Sequence, residues 1–135
     1  MTKFVLDTNI VLDVWVFADV AAVPLREKLL RGQISWLATT AMRSELERVL
    51  AYPKIVPRLN FYKITLQEVL AQFDQHAHIV EAAPKAPVTC SDADDQIFID
   101  LAVAHQAVLL SKDQAVVSMR KRLSTLGVQV QCAIT

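Results

Sequence analysis

Three short stretches bring oxygen-bearing side chains together in a way that could do chemistry. Asp7, Thr8 and Asn9 directly follow the apolar run Phe4-Val5-Leu6. Cys90-Ser91-Asp92-Ala93-Asp94-Asp95 is the acidic cluster of the chain, and Ser111-Lys112-Asp113 follows a second apolar run, Ala107 to Leu110. Glu45 stands apart from these, bordering the apolar positions Met42, Leu46, Val49 and Leu50. Carboxylates drawn into one cleft cannot all stay ionised unaided, since two of them about 4 Å apart repel by roughly 4 kcal/mol at an effective dielectric of 20. They protonate or they bind cations. Hard oxygen donors without His or Cys companions favour Mg²⁺ or Mn²⁺, ions that keep waters and bridge to phosphate. Asp7, Glu45, Asp95 and Asp113 gathered around such an ion would suit phosphodiester hydrolysis.

Each of these residues also has a plainer role open to it. Asp7, Thr8 or Asn9 would cap a following helix, and Asp92 or Asp94 would do the same for the helix after the acidic cluster. One cap needs one acid, however, and three acids within four positions repel one another, a surplus that points to a cation. Glu45 can equally be a rim glutamate at an amphipathic boundary. Asp13 falls beside the apolar stripe of its helix and reads as a solvated position, although close enough to Asn9 to edge a cleft, and Asp100 is placed toward solvent by its helical position. His76 and His78 share one face of an extended run, but no further His or Cys stands nearby to complete a zinc set.

The elements that must position these residues follow from periodicity. Phe4 to Leu6 reads as a buried parallel strand, and helical spacing follows from Ile10 to Phe17. Pro24 suits the first turn of a second helix that stops at Gly32. Ile34 to Ala38 is a second strand, and Thr39-Thr40 caps a helix over Ala41 to Ala51, in which Arg43 can pair with Glu47. A looser passage with Pro53 leads to a helix over Thr65 to Gln75 and an extended run over Ala77 to Ala82. Gln96 to Gln106 is helical, Ala107 to Leu110 a strand, Gln114 to Leu126 a last helix ending at Gly127, and Val128 to Cys132 an edge strand. Strands alternating with helices predict an α/β fold, a central parallel sheet of about five short strands flanked by helices on both faces. In such sheets ligands collect at the carboxyl ends of the strands, where the first and fourth strands both stop at polar residues.

Composition bounds the rest. The 135 residues suit a single domain over residues 1–135, and 53% hydrophobic with 21% charged residues is the balance of a packed core. Fourteen acids balance fourteen bases, so nucleic acid would have to be held by a local patch. The longest apolar run falls well short of the ~20 residues that span a bilayer, and no basic segment with a hydrophobic signal core opens the chain. The expectation is a cytoplasmic protein with no membrane partner. Cys90 and Cys132 form no CxxC pair and read as reduced thiols.

Taken together, Leu6-Asp7-Thr8-Asn9, Glu45-Leu46 ahead of Val49-Leu50-Ala51-Tyr52-Pro53-Lys54, Asp92-Ala93-Asp94-Asp95 with Phe98 and Ala102, and Leu109-Leu110-Ser111-Lys112-Asp113 resemble a PIN domain almost end to end. The closest likeness is to bacterial PIN-family toxin components of toxin–antitoxin systems. That resemblance implies a PIN-like fold, dependence on Mg²⁺ or Mn²⁺, and endoribonuclease activity on an RNA substrate. It matches Asp7, Glu45, Asp95 and Asp113 to the metal-binding acids, Asp92 to a further acid of this subgroup, and Thr8, Asn9 and Ser111 to the supporting polar residues. Asp94 would replace Asp95 after a register shift of one, and the apolar spacing to Phe98 and Ala102 favours Asp95. A small antitoxin protein is the implied partner, and a homodimer is compatible with the family. Arg43, Lys54, Lys112 and the run Arg120 to Arg122 are the candidate RNA contacts, although basic residues on helices are commonly just solvated.

Other folds fit less well. A Rossmann site needs a glycine-rich turn after the first strand, and the two glycines, Gly32 and Gly127, lie elsewhere. A haloacid-dehalogenase-like phosphatase needs a second Asp where Asn9 stands, and a receiver domain needs a phosphoacceptor Asp that Ser35 to Thr40 lacks. The rival of a different class is a PIN-like module that binds RNA or protein without cutting.

Overall fold

Phe4, Val5 and Leu6 are all buried, as a strand covered on both faces requires. In the computed structural model, which describes residues 1–134, they form β1 (Lys3–Leu6) at the centre of a five-stranded parallel sheet. The other strands are β2 (Ser35–Ala38), β3 (Ala77–Ile79), β4 (Val108–Leu110) and β5 (Val130–Gln131), arranged in the order β3-β2-β1-β4-β5. The chain therefore steps outward from β1 through β2 to β3, then returns to the other side of β1. That reversal makes the carboxyl ends of β1 and β4 a topological switch point, where the loops diverge and leave a crevice.

Among the described residues eight α-helices connect these strands: α1 (Thr8–Trp15), α2 (Val23–Leu30), α3 (Thr40–Leu50), α4 (Val56–Tyr62), α5 (Leu66–His76), α6 (Gln96–His105), α7 (Gln114–Val117) and α8 (Arg120–Ser124). Right-handed crossovers put α1 to α5 on one face and α6 to α8 on the other. The packing agrees, for α1 touches α2 and α3, α3 touches α5, α6 lies on β1 and β4, and α7 and α8 lie on β5. Trp36 and Phe73 meet edge to face, 5.0 Å between ring centroids, where β2 meets α5. Ile99 and Leu101 of α6 are fully buried, as are Leu109 and Leu110 of β4, whose side chains go to opposite faces of the sheet. No single helix among the described residues is long and apolar enough to cross a membrane.

Several local expectations need correction. Residues 56–62 are helical, because Pro57 falls in the first turn of α4, where a missing N–H costs nothing. The expected helix from Gln114 to Leu126 is broken into α7 and α8: the Ser118 hydroxyl donates to the Ala115 carbonyl at 3.1 Å, and Met119 turns into the core. Asp13 is buried and ion-paired with Lys112 instead of solvated. Asp100 is half-buried, accepting from the Ala86 amide at 2.9 Å and the Gln96 side chain at 2.8 Å, which pins the loop before the acidic cluster onto α6. The run from Ala77 shortens to three strand residues, although the Val80 amide still donates to Ala38 O at 2.9 Å. Arg43 pairs with Asp74 of α5 rather than with Glu47. His76 stacks on Trp15, 5.3 Å between centroids, while His78 is exposed; both cysteines are free.

Both glycines hold a left-handed backbone, Gly32 at φ +64° and Gly127 at φ +81°. A Cβ on Gly32 would meet open space, whereas one on Gly127 would lie 2.7 Å from the Gln106 side-chain nitrogen. Gly32→Ala is expected to cost about 1 kcal/mol from backbone strain alone. Gly127→Ala should cost about as much in urea unfolding, because the contact is with the free end of the exposed Gln106 side chain, and a clearly larger loss would show that Gln106 is held in place.

Candidate functional site

The register between β1 and β4 builds the centre of the site. Leu6 pairs with Leu110, so the next residues, Asp7 and Ser111, leave their strands side by side. The Asp7 amide donates to Leu110 O at 3.2 Å, and the Ser111 hydroxyl donates to Asp7 Oδ2. Asp7 Oδ1 accepts from the Ile10 amide at 3.0 Å, so the carboxylate also caps α1. The capping role and the site role thus belong to the same side chain. Ser111 Oγ in turn accepts from the Asp113 amide at 3.1 Å, and Asp113 Oδ1 caps α7 through the Ala115 amide at 2.9 Å.

Two further acids arrive from other elements. Thr8 at the start of α1 donates its hydroxyl to Glu45 Oε2, drawing the α3 carboxylate toward the end of β1. A 3-10 turn over Ala93–Asp95, capped by Asp92 through the Asp94 amide at 3.0 Å, turns Asp95 inward and leaves Asp94 exposed. One ligand oxygen each from Asp92, Asp95 and Asp113 lies within 4.8 Å of the others. Beside this triad opens a cleft of about 250 Å³ lined by Asp7, Thr8, Asn9, Glu45, Lys54, Asp94 and Asp95, with Val49, Tyr52, Ile55 and Phe98 as its apolar wall.

The electrostatics are those of crowded acids. Asp95 is pushed up from 3.8 to about 7, first by burial and then by the charge of Asp113, with Asp92 and Asp7 adding to it. Asp7 is also raised, again mainly by burial, with its bonds from Ser111 and Ile10 opposing and the charges of Asp113 and Asp13 assisting. Asp95 Oδ2 is buried and has no hydrogen-bond partner, an uncommon and costly state for a carboxylate oxygen. An unpartnered buried oxygen among three carboxylates, with no histidine or cysteine ligand in the group, fits a hard divalent cation.

The expected residues fall into distinct places. Asp7, Thr8, Asn9, Glu45, Lys54 and Asp95 line the cleft, and Asp92 and Asp113 reach Asp95 from its other side. Ser111 lies fully buried beneath, holding Asp7. Lys112 is engaged by Asp13, the buried carboxylate of α1, and borders a neighbouring hollow that shares Asn9 with the cleft. Arg43 is held by both oxygens of Asp74, at 2.7 and 2.9 Å. Arg120 lines a separate open groove with Ser124 and residues 127–133, which contains no acid. The cleft wall of Tyr52, Ile55 and Phe98 belongs to no pattern of polar residues, and only the apolar spacing of α3 and α6 hints at it.

Comparison with curated proteins returned no match. The sequence profile described as the PIN domain, by contrast, matches residues 3–115, from the first residue of β1 through Asp113 and into α7. That span takes in all the acids gathered at the switch point and well over half of the chain, and the chain therefore belongs to the PIN domain family, whose members are generally metal-dependent nucleases.

Proposed function

We propose that this PIN domain is a divalent-metal-dependent endoribonuclease, acting in the cytoplasm as the toxin component of a toxin–antitoxin pair. The observation that carries the catalytic part is Asp95, whose buried Oδ2 has no partner although Asp92 and Asp113 crowd against it. A module that only bound RNA or protein would gain nothing from carboxylates held together against their repulsion. PIN domain nucleases act on RNA in general, and the resemblance to bacterial toxin components supports the finer assignment. In that assignment a small antitoxin would insert a segment into the acidic cleft.

Asp7, Glu45, Asp95 and Asp113, with Asp92 beside them, would hold Mg²⁺ or Mn²⁺. Such an ion supplies Lewis acidity toward the phosphodiester and lowers the pKa of attacking water. The protein's own contribution is orientation. Ser111 fixes one oxygen of Asp7 while the Ile10 amide fixes the other, and Thr8 fixes Glu45. Asn9, exposed at the start of α1, borders both the cleft and the adjoining hollow and is available to the substrate.

With Mn²⁺ present the purified protein should cleave RNA, and chelation should stop it. Asp7→Asn should reduce the rate by about 100-fold or more, at least the upper end of what losing a group behind a metal ligand costs, and Thr8→Ala by about 10-fold. Equal cleavage by Asp7→Asn would identify a contaminant and sink the nuclease reading. Expression of the wild type alone should arrest bacterial growth while Asp7→Asn does not, and a harmless wild type would remove the toxin assignment.

Protons and a divalent ion compete for the same oxygens. Because Asp95 has its folded pKa raised to about 7, its favourable contribution is complete below 3.8 and is lost as pH rises through about 7. In chelator, the melting temperature should therefore fall as pH rises from about 5 to about 7 and level off above that, and Asp95→Asn should flatten that slope. Mg²⁺ at pH 8 should restore stability to the wild type, as a ligand of the folded state does. A wild-type melting temperature independent of pH and of Mg²⁺ would contradict the site.

A further inference from the structure

Between Glu47 and Glu68 the chain carries Arg48, Lys54, Arg58 and Lys63 and no acidic residue, although acids and bases balance over the whole sequence. This segment leaves α3, forms one wall of the acidic cleft through Tyr52, Lys54 and Ile55, and continues as α4. Arg58, one turn into α4, reaches the hollow that shares Asn9 with the cleft. Its guanidinium carbon sits over Phe17, 3.7 Å from the ring centroid, and takes part in no ion pair among the described residues. Phe17 also meets Tyr62, 6.2 Å away at 48°, and Phe61 sits edge-on to Tyr62. Exposure along the strip is high for aromatic residues, 50% at Tyr52 and 79% at Phe61.

We propose that residues 52–62 form a binding strip for single-stranded RNA that leads out of the acidic cleft, with Tyr52 stacking a base and Arg58 holding a flanking phosphate. The proposal rests on the nuclease reading for its polarity, because the cleft marks where the strand would be cut. Three observations favour RNA over other occupants. Unpaired cations alternate with exposed rings, the combination that binds a backbone through charge and splayed bases through stacking. Contact with Phe17 holds the guanidinium in place and leaves its N–H edge open to a phosphate. The strip is continuous with a cleft whose acids would repel a polyanion, so attraction must come from the adjoining surface. Two acids share that hollow: Asp13 is engaged by Lys112, and Asp19, exposed and accepting from the Ala21 amide at 2.9 Å, is the charge that a phosphate held by Arg58 would have to avoid.

The test is fluorescence anisotropy in chelator, without turnover, using a fluorescein-labelled single-stranded RNA of roughly 12 nucleotides and the same length of duplex RNA, a span ample for one such strip. Arg58→Ala and Tyr52→Ala should each weaken single-strand binding by about five-fold or more, the lower end of what one stacked base contributes. Tyr52→Phe should retain wild-type affinity. Arg58→Ala should also reduce the slope of log affinity against log salt by about 0.7. Arg120→Ala, in the separate groove, should bind as the wild type does. Wild-type affinity in both alanine variants, tighter binding of the duplex, or no binding of single-stranded RNA by the wild type would each overturn the strip. Binding that depends on Tyr52 and Arg58 in a protein that never cleaves RNA would instead leave the strip standing and remove the nuclease reading.

Discussion

Everything at the functional end of this molecule depends on holding mutually repelling carboxylates together. The force that does so is the backbone ladder between β1 and β4. It places Asp7 beside Ser111, closes the gap with the amide bond from Asp7 to Leu110, and lets a single hydroxyl hold one acid while accepting the amide of a second. The remaining acids come in as consequences of chain direction: α3 must start where β2 ends, and α6 must start at the same edge of the sheet because all strands run parallel. Repulsion is thus offset by hydrogen bonds to individual oxygens and by the packed sheet beneath, not by neighbouring cations.

Lys112 shows how strictly this holds. It lies between Ser111 and Asp113, yet its ammonium pairs with Asp13 on α1 and acts on Asp7 only as a weaker, more distant charge. Asp13 is buried because α1 packs against the sheet, so this ion pair fastens the loop after β4 to the helix after β1. Removal of Lys112 would leave the buried Asp13 carboxylate without its counterpart, whereas removal of Asp13 would leave an exposed lysine that water can solvate.

Much of the fold was legible because its strands are continuous apolar runs that stop at polar residues, and because hydroxyl and carboxylate caps mark the helix starts. The spacing to Phe98 and Ala102 favours Asp95 over Asp94 without deciding between them, and in the fold Asp95 is buried and Asp94 exposed. What periodicity could not reveal was set by tertiary contacts. Asp13 sits at a position that helical geometry alone leaves open, and its ion-pair partner, Lys112, comes from the far end of the chain. Arg43 follows the i, i+4 rule toward Glu47 but finds a two-oxygen partner on α5. The segment after Pro53 reads as a loop because proline is taken as a breaker, when Pro57 instead opens α4.

The last strand has a consequence of another kind. β5 lies beyond residue 115, where the family match ends, and pairs only two residues with β4. It nevertheless carries Val130, and with α7 and α8 it buries Val116, Met119, Leu123 and Val128 over that side of the sheet. A chain cut at the end of the family match would turn β4 into a bare edge, with the Leu109 and Ser111 amides, now bonded to Gln129 and Gln131, open to another chain. Edge protection, and not the site, is therefore what sets the minimal length of a closed sheet here: the family match ends at Ala115, but β4 stays covered only through Gln131.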